Sequence, residues 1–221
     1  AALNRTFQLL WKTEDYRIIA YNMLRQYIRV ADDVAARRVV DDIVGAPRRV
    51  SVIPGNHDYY TLDAEREHRF EHTFAAYLGS DLPAYQQASG YPFCHLRDDV
   101  AIVGLNSGIA TLPLYATGRV RQDELDAAAA LLSDPKVRSR FVVVMVHHHL
   151  LPFEHSKVEY LRRMVNARDV LKVIREGNVD LAIHGHNHHF STVELPHLGG
   201  AGTLRICEAG STSTRTYSHE E

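Results

Sequence analysis

Three apolar runs in this chain each stop at a concentrated polar cluster, and that arrangement restricts the folds open to it. RRVSVIP (48–54) runs into Gly55-Asn56-His57-Asp58, RFVVVMV (140–146) into His147-His148-His149, and VDLAIH (179–184) into Gly185-His186-Asn187-His188. Short aliphatic and β-branched runs bounded by glycine, proline or polar residues read as buried strands. Laid parallel, such strands bring their polar ends to one edge of a sheet, where ligands of open α/β folds bind.

The segments between these runs complete an alternation of strand and helix. Residues 5–14 read as helix and YRIIAYN (16–22) as a short strand. Asp32 to Val44 has apolar positions at Val34, Val39, Val40 and Ile43, an amphipathic helical spacing. Helices are expected over 65–78, 122–132 and 159–176, with further strands over 100–107 and 204–209. RFVVVMV is apolar throughout, as expected of a central strand covered on both faces. The fold class is therefore α/β with largely parallel pairing. No linker or repeat interrupts it, so residues 1–221 are expected to form one domain, with 214–221 as a flexible tail.

Composition narrows the function classes. With 221 residues, 45% of them hydrophobic, the chain can bury one sizeable core. The net charge is −2 and no Lys/Arg tract exceeds a pair, which argues against a nucleic-acid groove or a polybasic membrane surface. The longest aliphatic run, Phe141 to Val146, is too short to span a bilayer. No secretory h-region opens the chain. Cys94 and Cys207 lie far apart and suit reduced thiols better than a disulfide framework, so a cytoplasmic location is expected.

Four histidines fall between positions 184 and 189. Neighbouring imidazoles that protonate repel one another, and buried neutral rings need partners for both nitrogens. A metal ion removes both difficulties, but neutral imidazoles supply no charge to balance it. Any one of the clusters is explained by a loop histidine with a satisfied hydrogen bond. Three of them, each at a strand end, point to one site.

These residues carry a resemblance. PGNHD (54–58), the histidine run after VVVMV, and HGHNH (184–188) resemble three successive motifs of the calcineurin-like metallophosphoesterase superfamily. They occur in order, and GLNSG (104–108), RQDELDAAAALL (121–132) and CEAGSTS (207–213) fit the same pattern. Within the superfamily the chain is most similar to the bacterial cyclic-nucleotide and glycerophosphodiester phosphodiesterase branch, over roughly residues 16 to 215.

The resemblance implies a four-layer α-β-β-α sandwich of two mixed sheets flanked by helices, with a two-metal centre at the sheet edges. The implied reaction is hydrolysis of a phosphodiester or phosphomonoester by attack of metal-bound hydroxide. Residue by residue, it implies Asn56, His147 and His186 as ligands of one metal and His188 as a ligand of the other. His57 would stabilise the transition state or protonate the leaving oxygen, with Asp58 orienting its ring. An Asn/His donor set suits Zn, Mn or Fe rather than Ca, with one or two ions bound. The partner is a small phosphorylated substrate, and self-association is left open.

Other candidates follow from position. His148 and His149 stand beside His147, either lining the substrate cleft or serving as ordinary loop residues. Residues 59–91 and 150–160 are expected to wall that cleft. His184 reads as a packing residue and His189 as exposed. His68 and His72 lie one helical turn apart without a third ligand, which suits a solvated helix face.

The chain departs from the family upstream. The family begins with a strand ending Asp-x-His, and its second strand ends Gly-Asp, whose carboxylate bridges the metals. No Asp-x-His precedes His57, and Tyr21-Asn22 stands where Gly-Asp is expected. The family's first strand is accordingly expected to precede Ala1. Asn22 becomes a candidate neutral ligand. Asp32 and Asp33 open a helix on the site's side of the sheet, where capping accounts for them. Asp41 and Asp42 fall toward the opposite edge. Two functions compete on this evidence: a metal-dependent phosphoesterase, and a degenerate, catalytically impaired binding or regulatory module on the same scaffold. A zinc-stabilised structural fold is disfavoured, because Cys94 and Cys207 lie in other elements.

Overall fold

A computed structural model of the chain describes residues 37–38, 50–112, 115–152, 157–187, 190–198 and 200–209. The segments expected as helix 5–14 and strand 16–22, Asn22, Asp32, Asp33, Asp41, Asp42, His188, His189 and the tail 214–221 lie outside the described residues.

Among the described residues six strands form one mixed sheet: β1 (Phe93–Arg97), β2 (Val100–Gly104), β3 (Phe141–Met145), β4 (Leu181–His184), β5 (Ser191–Pro196) and β6 (Thr203–Glu208). Their order is β1-β2-β3-β4-β6-β5. The four central strands pair in parallel, and β1 and β5 close the ends as antiparallel partners of β2 and β6. The alternation of strands and helices predicts the parallel centre. It does not predict β1 or β5, each of which is one arm of a hairpin and follows no crossover helix. The resemblance's second sheet is not among the described residues, and RRVSVIP shows no ladder pairing over its described part, residues 50–54. The segment expected beside it, 16–22, lies outside the described residues.

Helices α1 (Leu62–Arg66), α2 (Arg69–Thr73), α3 (Gln122–Leu132), α4 (Pro135–Arg138), α5 (Lys157–Arg162) and α6 (Ala167–Glu176) accompany the sheet. In α3 the buried residues are Glu124, Leu125, Ala128, Leu131 and Leu132, the stripe a helix presents to a core. With Val170 and Ile174 of α6 they enclose Val103, Val142, Val144, Ala182, Leu204 and Ile206 of the sheet. β3 is central in the sheet, as expected of an apolar run. Among the described residues its Val142 and Val144 are buried, Val143 and Met145 are half-buried, and Phe141 at its start is 49% exposed. No described helix is long and apolar enough to cross a membrane.

Two expected helices are interrupted, for identifiable reasons. The helix over 65–78 breaks at His68, whose φ of 48° ends one helical path, and the chain resumes as α2 and a 3₁₀ turn at Ala75–Tyr77. The helix over 159–176 is split into α5 and α6 because residues 163–166 bond sideways. Gly118 N–H donates to Arg163 O (3.1 Å), Val165 N–H donates to Gly118 O (2.8 Å), and the Asn166 amide bonds both backbone groups of Val120. Those tertiary partners replace the intrahelical ones.

A second cluster, aromatic in character, joins Tyr59, Phe70, Phe74, Tyr77, Tyr91 and Phe93 beneath Val50, Val52 and Ile53. It anchors the segment that leads into Asn56. Gly104 admits it to the sheet, since a Cβ there would stand 2.1 Å from the Phe93 ring.

Candidate active site

The parallel register decides what meets at the sheet edge. Gly104 pairs with Met145, Met145 with Ile183, and Ile183 with Cys207, so these four residues form one row. Two positions further along, the row contains Asn106, His147, Gly185 and Ala209. The ladder continues past the strands through Val146 N–H to Ile183 O (3.1 Å) and Gly185 N–H to His147 O (3.1 Å). This places His186 beside His147.

The third element arrives from outside the described sheet. Pro54 and Gly55 lead into a 3₁₀ turn, Asn56–Tyr59, that Asp58 stabilises by accepting Gly55 N–H on Oδ2 at 2.7 Å. Gly55 lies against the His147 ring, where a Cβ would be 3.2 Å from Cε1. Asn56 is buried, and its Oδ1 lies 2.9 Å from His147 Nε2. His147 Nε2 in turn lies 3.2 Å from His186 Nδ1. His186 adopts φ 82°, a left-handed conformation that costs a non-glycine residue on the order of 1–3 kcal/mol and is found most often at functional sites.

These atoms can be tested as metal ligands. Donors about 2.0–2.2 Å from one ion stand roughly 3–3.5 Å from one another. The separations of 2.9 and 3.2 Å match that spacing. Three lone-pair atoms so close repel unless a shared proton or a cation lies among them. The neutral form of the His186 ring, the form that ligates metals, is favoured here. Burial pushes His186 far below the ordinary imidazole value, and the charges of His148, His147, His149 and Arg162 add to the effect. His186 Nε2 is also buried without a hydrogen-bond partner among the described residues. Asn56, His147 and His186 are the residues here that could hold one transition-metal ion, with an amide and two imidazoles as donors. Among the described residues no group of three or more His, Cys, Asp or Glu converges as a metal site. The trio contains only two such residues, and its third donor is an amide.

The remaining candidates fall into different places. His57 is half-buried on the 3₁₀ turn, with its ring centroid 4.7 Å from that of Tyr60. His149 is buried, with Nδ1 3.4 Å from Asn187 Nδ2 and its ring 6.0 Å from that of His186. His148 is fully buried. Its Nδ1 lies 2.8 Å from Ser107 Oγ and its Nε2 3.1 Å from Ala116 O, so both ring nitrogens are engaged within the fold. Burial, then the neighbouring His147, holds His148 well below the usual imidazole range. His184 is buried in β4, in the packing position expected of it.

Three residues of this neighbourhood were not singled out from the sequence. Ser107 orients His148 and belongs to GLNSG. Tyr60 hydroxyl accepts a hydrogen bond from Asn56 Nδ2. Glu208, buried at the end of β6 and in register with His184, accepts from Ser191 Oγ at 3.2 Å and has its other oxygen unpartnered among the described residues. Only the last has a legible cue, an acid closing an apolar strand.

Comparison with known proteins agrees with this geometry. The family model for calcineurin-like phosphoesterases matches residues 24–190. No curated protein matches the sequence closely enough to count as a relative. The matched span contains every donor of the trio and most of the sheet, and the chain belongs to the calcineurin-like phosphoesterase family.

Proposed function

We propose that this chain hydrolyses a phosphate ester with the help of a divalent transition metal held by Asn56, His147 and His186. Members of the family are generally hydrolytic phosphoesterases that bind divalent metals. The observation that carries the reading is the meeting of Asn56 Oδ1, His147 Nε2 and His186 Nδ1 from three separate loops. When bound, the ion supplies Lewis acidity toward phosphate oxygens and lowers the pKa of water.

The chain's own groups do the rest. The 3₁₀ turn sets His57 next to Asn56, so an imidazole stands beside whatever the pocket binds. Its role is to stabilise charge on the phosphate or to protonate the leaving oxygen. Asp58 holds the turn through Gly55 N–H and thereby fixes the position of His57. His149 offers a second imidazole toward the substrate side. His148 supports the site from beneath, tied to Ser107 and Ala116. His188 and Asn22 are proposed as further ligands on their sequence positions alone. Zn, Mn and Fe all suit this donor set, and a phosphodiester substrate follows from the branch resemblance.

The test is hydrolysis of bis(p-nitrophenyl) phosphate and p-nitrophenyl phosphate by the full chain with added Mn(II), Zn(II) or Fe(II). Slow turnover that requires the metal, with the diester preferred, supports the proposal. Metal uptake without turnover of either ester supports the binding-module reading instead. No uptake at all refutes both.

A further inference from the structure

An asparagine can ligate a cation only through its oxygen, so something must keep the amide from rotating its NH₂ into the pocket. We propose that Tyr60 is a positioning residue that locks the Asn56 amide with Oδ1 facing the metal pocket. The inference rests on Asn56 being a ligand, as argued above.

The geometry is specific. Asn56 is only 3% exposed, so water cannot freely supply partners for its amide. Its Nδ2 donates to the Tyr60 hydroxyl, while Oδ1 faces His147 Nε2 at 2.9 Å. A flipped amide would turn the Nδ2 hydrogens on the ring nitrogen, and the Tyr60 hydroxyl would have to change from acceptor to donor to keep its bond. Tyr60 is half-buried and its ring lies 4.7 Å from that of His57, tilted by 52°. One side chain thus touches both Asn56 and His57. The turn spans Asn56–Tyr59 and Tyr60 follows it in a right-handed helical conformation, from which its hydroxyl reaches the Asn56 amide. Groups that orient metal ligands in this way typically contribute about 10–100-fold in metal affinity.

A carboxylate has an oxygen on both sides and has no wrong orientation, and this separates positioning from packing. Mn(II) and Zn(II) affinities would be measured by equilibrium dialysis on the full chain, together with the melting temperature of the metal-free protein. The variants are Asn56→Ala, Tyr60→Phe, Asn56→Asp and Asn56→Asp with Tyr60→Phe. The expected result is that Tyr60→Phe weakens binding by about 10–100-fold in the parent, with a fall of only a few degrees in the metal-free melting temperature from the Asn56 N–H left without its partner. In the Asn56→Asp background the same change should have little effect. Tyr60→Leu serves the same comparison if Tyr60→Phe does not fold, and failure of both to fold overturns the proposal, since Tyr60 is then a packing residue. Equal losses in the two backgrounds, or no loss in the parent, also overturn it. If the parent binds neither ion, or Asn56→Ala binds as the parent does, the metal assignment of Asn56 fails, and the Tyr60 proposal with it.

Discussion

His147 Nε2 lies 2.9 Å from Asn56 Oδ1, although 91 residues separate the two along the chain. The contact joins the end of a central strand to a 3₁₀ turn, and His186 completes it from the next strand at 3.2 Å. Three neutral donors on three loops define what can be tested.

Removal of one imidazole from this trio should release metal. His186→Ala is expected to lower Mn(II) or Zn(II) affinity by at least the roughly 10–100-fold that outer-shell changes cost. The parent should take up about one ion tightly. His188→Ala should cost less, because the other family ligands of its pocket are absent from this sequence. Elemental analysis after dialysis reads both variants, and equal losses would show that the two histidines serve one pocket.

In the proposed function His57 acts on the phosphate and is not a metal ligand. His57→Ala is therefore expected to keep its metal and lose about 10²–10⁴ in turnover of an aryl phosphodiester. A variant that turns over at the parental rate would remove His57 from the chemistry.

The fully buried His148 ring lies against Gly118, and a Cβ at that glycine would stand 2.2 Å from its Nδ1. Gly118→Ala must therefore push the ring or the backbone, an overpacking cost of about 1–3 kcal/mol. The bonds of Gly118 to Arg163 and Val165, which separate α5 from α6, would be strained with it. The expected sign is a melting temperature lower by several degrees, measured by calorimetry. An unchanged melting temperature would contradict the packing described for His148.

Glu124 makes stability depend on pH. It is fully buried in α3, accepts a hydrogen bond from Ser89 Oγ (2.6 Å), and burial pushes its carboxyl from 4.5 up to about 7. The folded state therefore keeps a proton that the unfolded chain gives up earlier. Its contribution is fully present below pH 4.5 and is lost as pH rises through about 7. The loss is at most roughly 3 kcal/mol. Glu124→Gln keeps the acceptor for Ser89 and should flatten the urea stability profile across that window. An unaltered slope would show that the carboxyl titrates normally.

Much of the fold was legible because its signals are local. Val142, Val144 and Val146 announce a strand whatever surrounds them, and α3 spans 122–132, the range expected for this alanine-rich run. The interruption of 159–176 was not legible. Its residues favour helix along the whole length, and only Gly118 and Val120, some 46 positions away from Asn166, offer the competing bonds.

At the site the division is similar. The sequence by itself placed Asn56, His57, His147 and His186 immediately after apolar runs, since a run and its end are properties of adjacent residues. Tertiary structure alone decided which atoms meet. The parallel register aligns Gly104, Met145 and Ile183, and the left-handed turn at His186 returns its ring toward His147. His148 shows the same rule in reverse. Adjacency to His147 suggested a cleft residue, but the chain bends at 147–148 and His148 is fully buried, its Nδ1 bonded to Ser107 Oγ and its Nε2 to Ala116 O. Its ring still lies 4.5 Å from that of His186, so it backs the site from within the core.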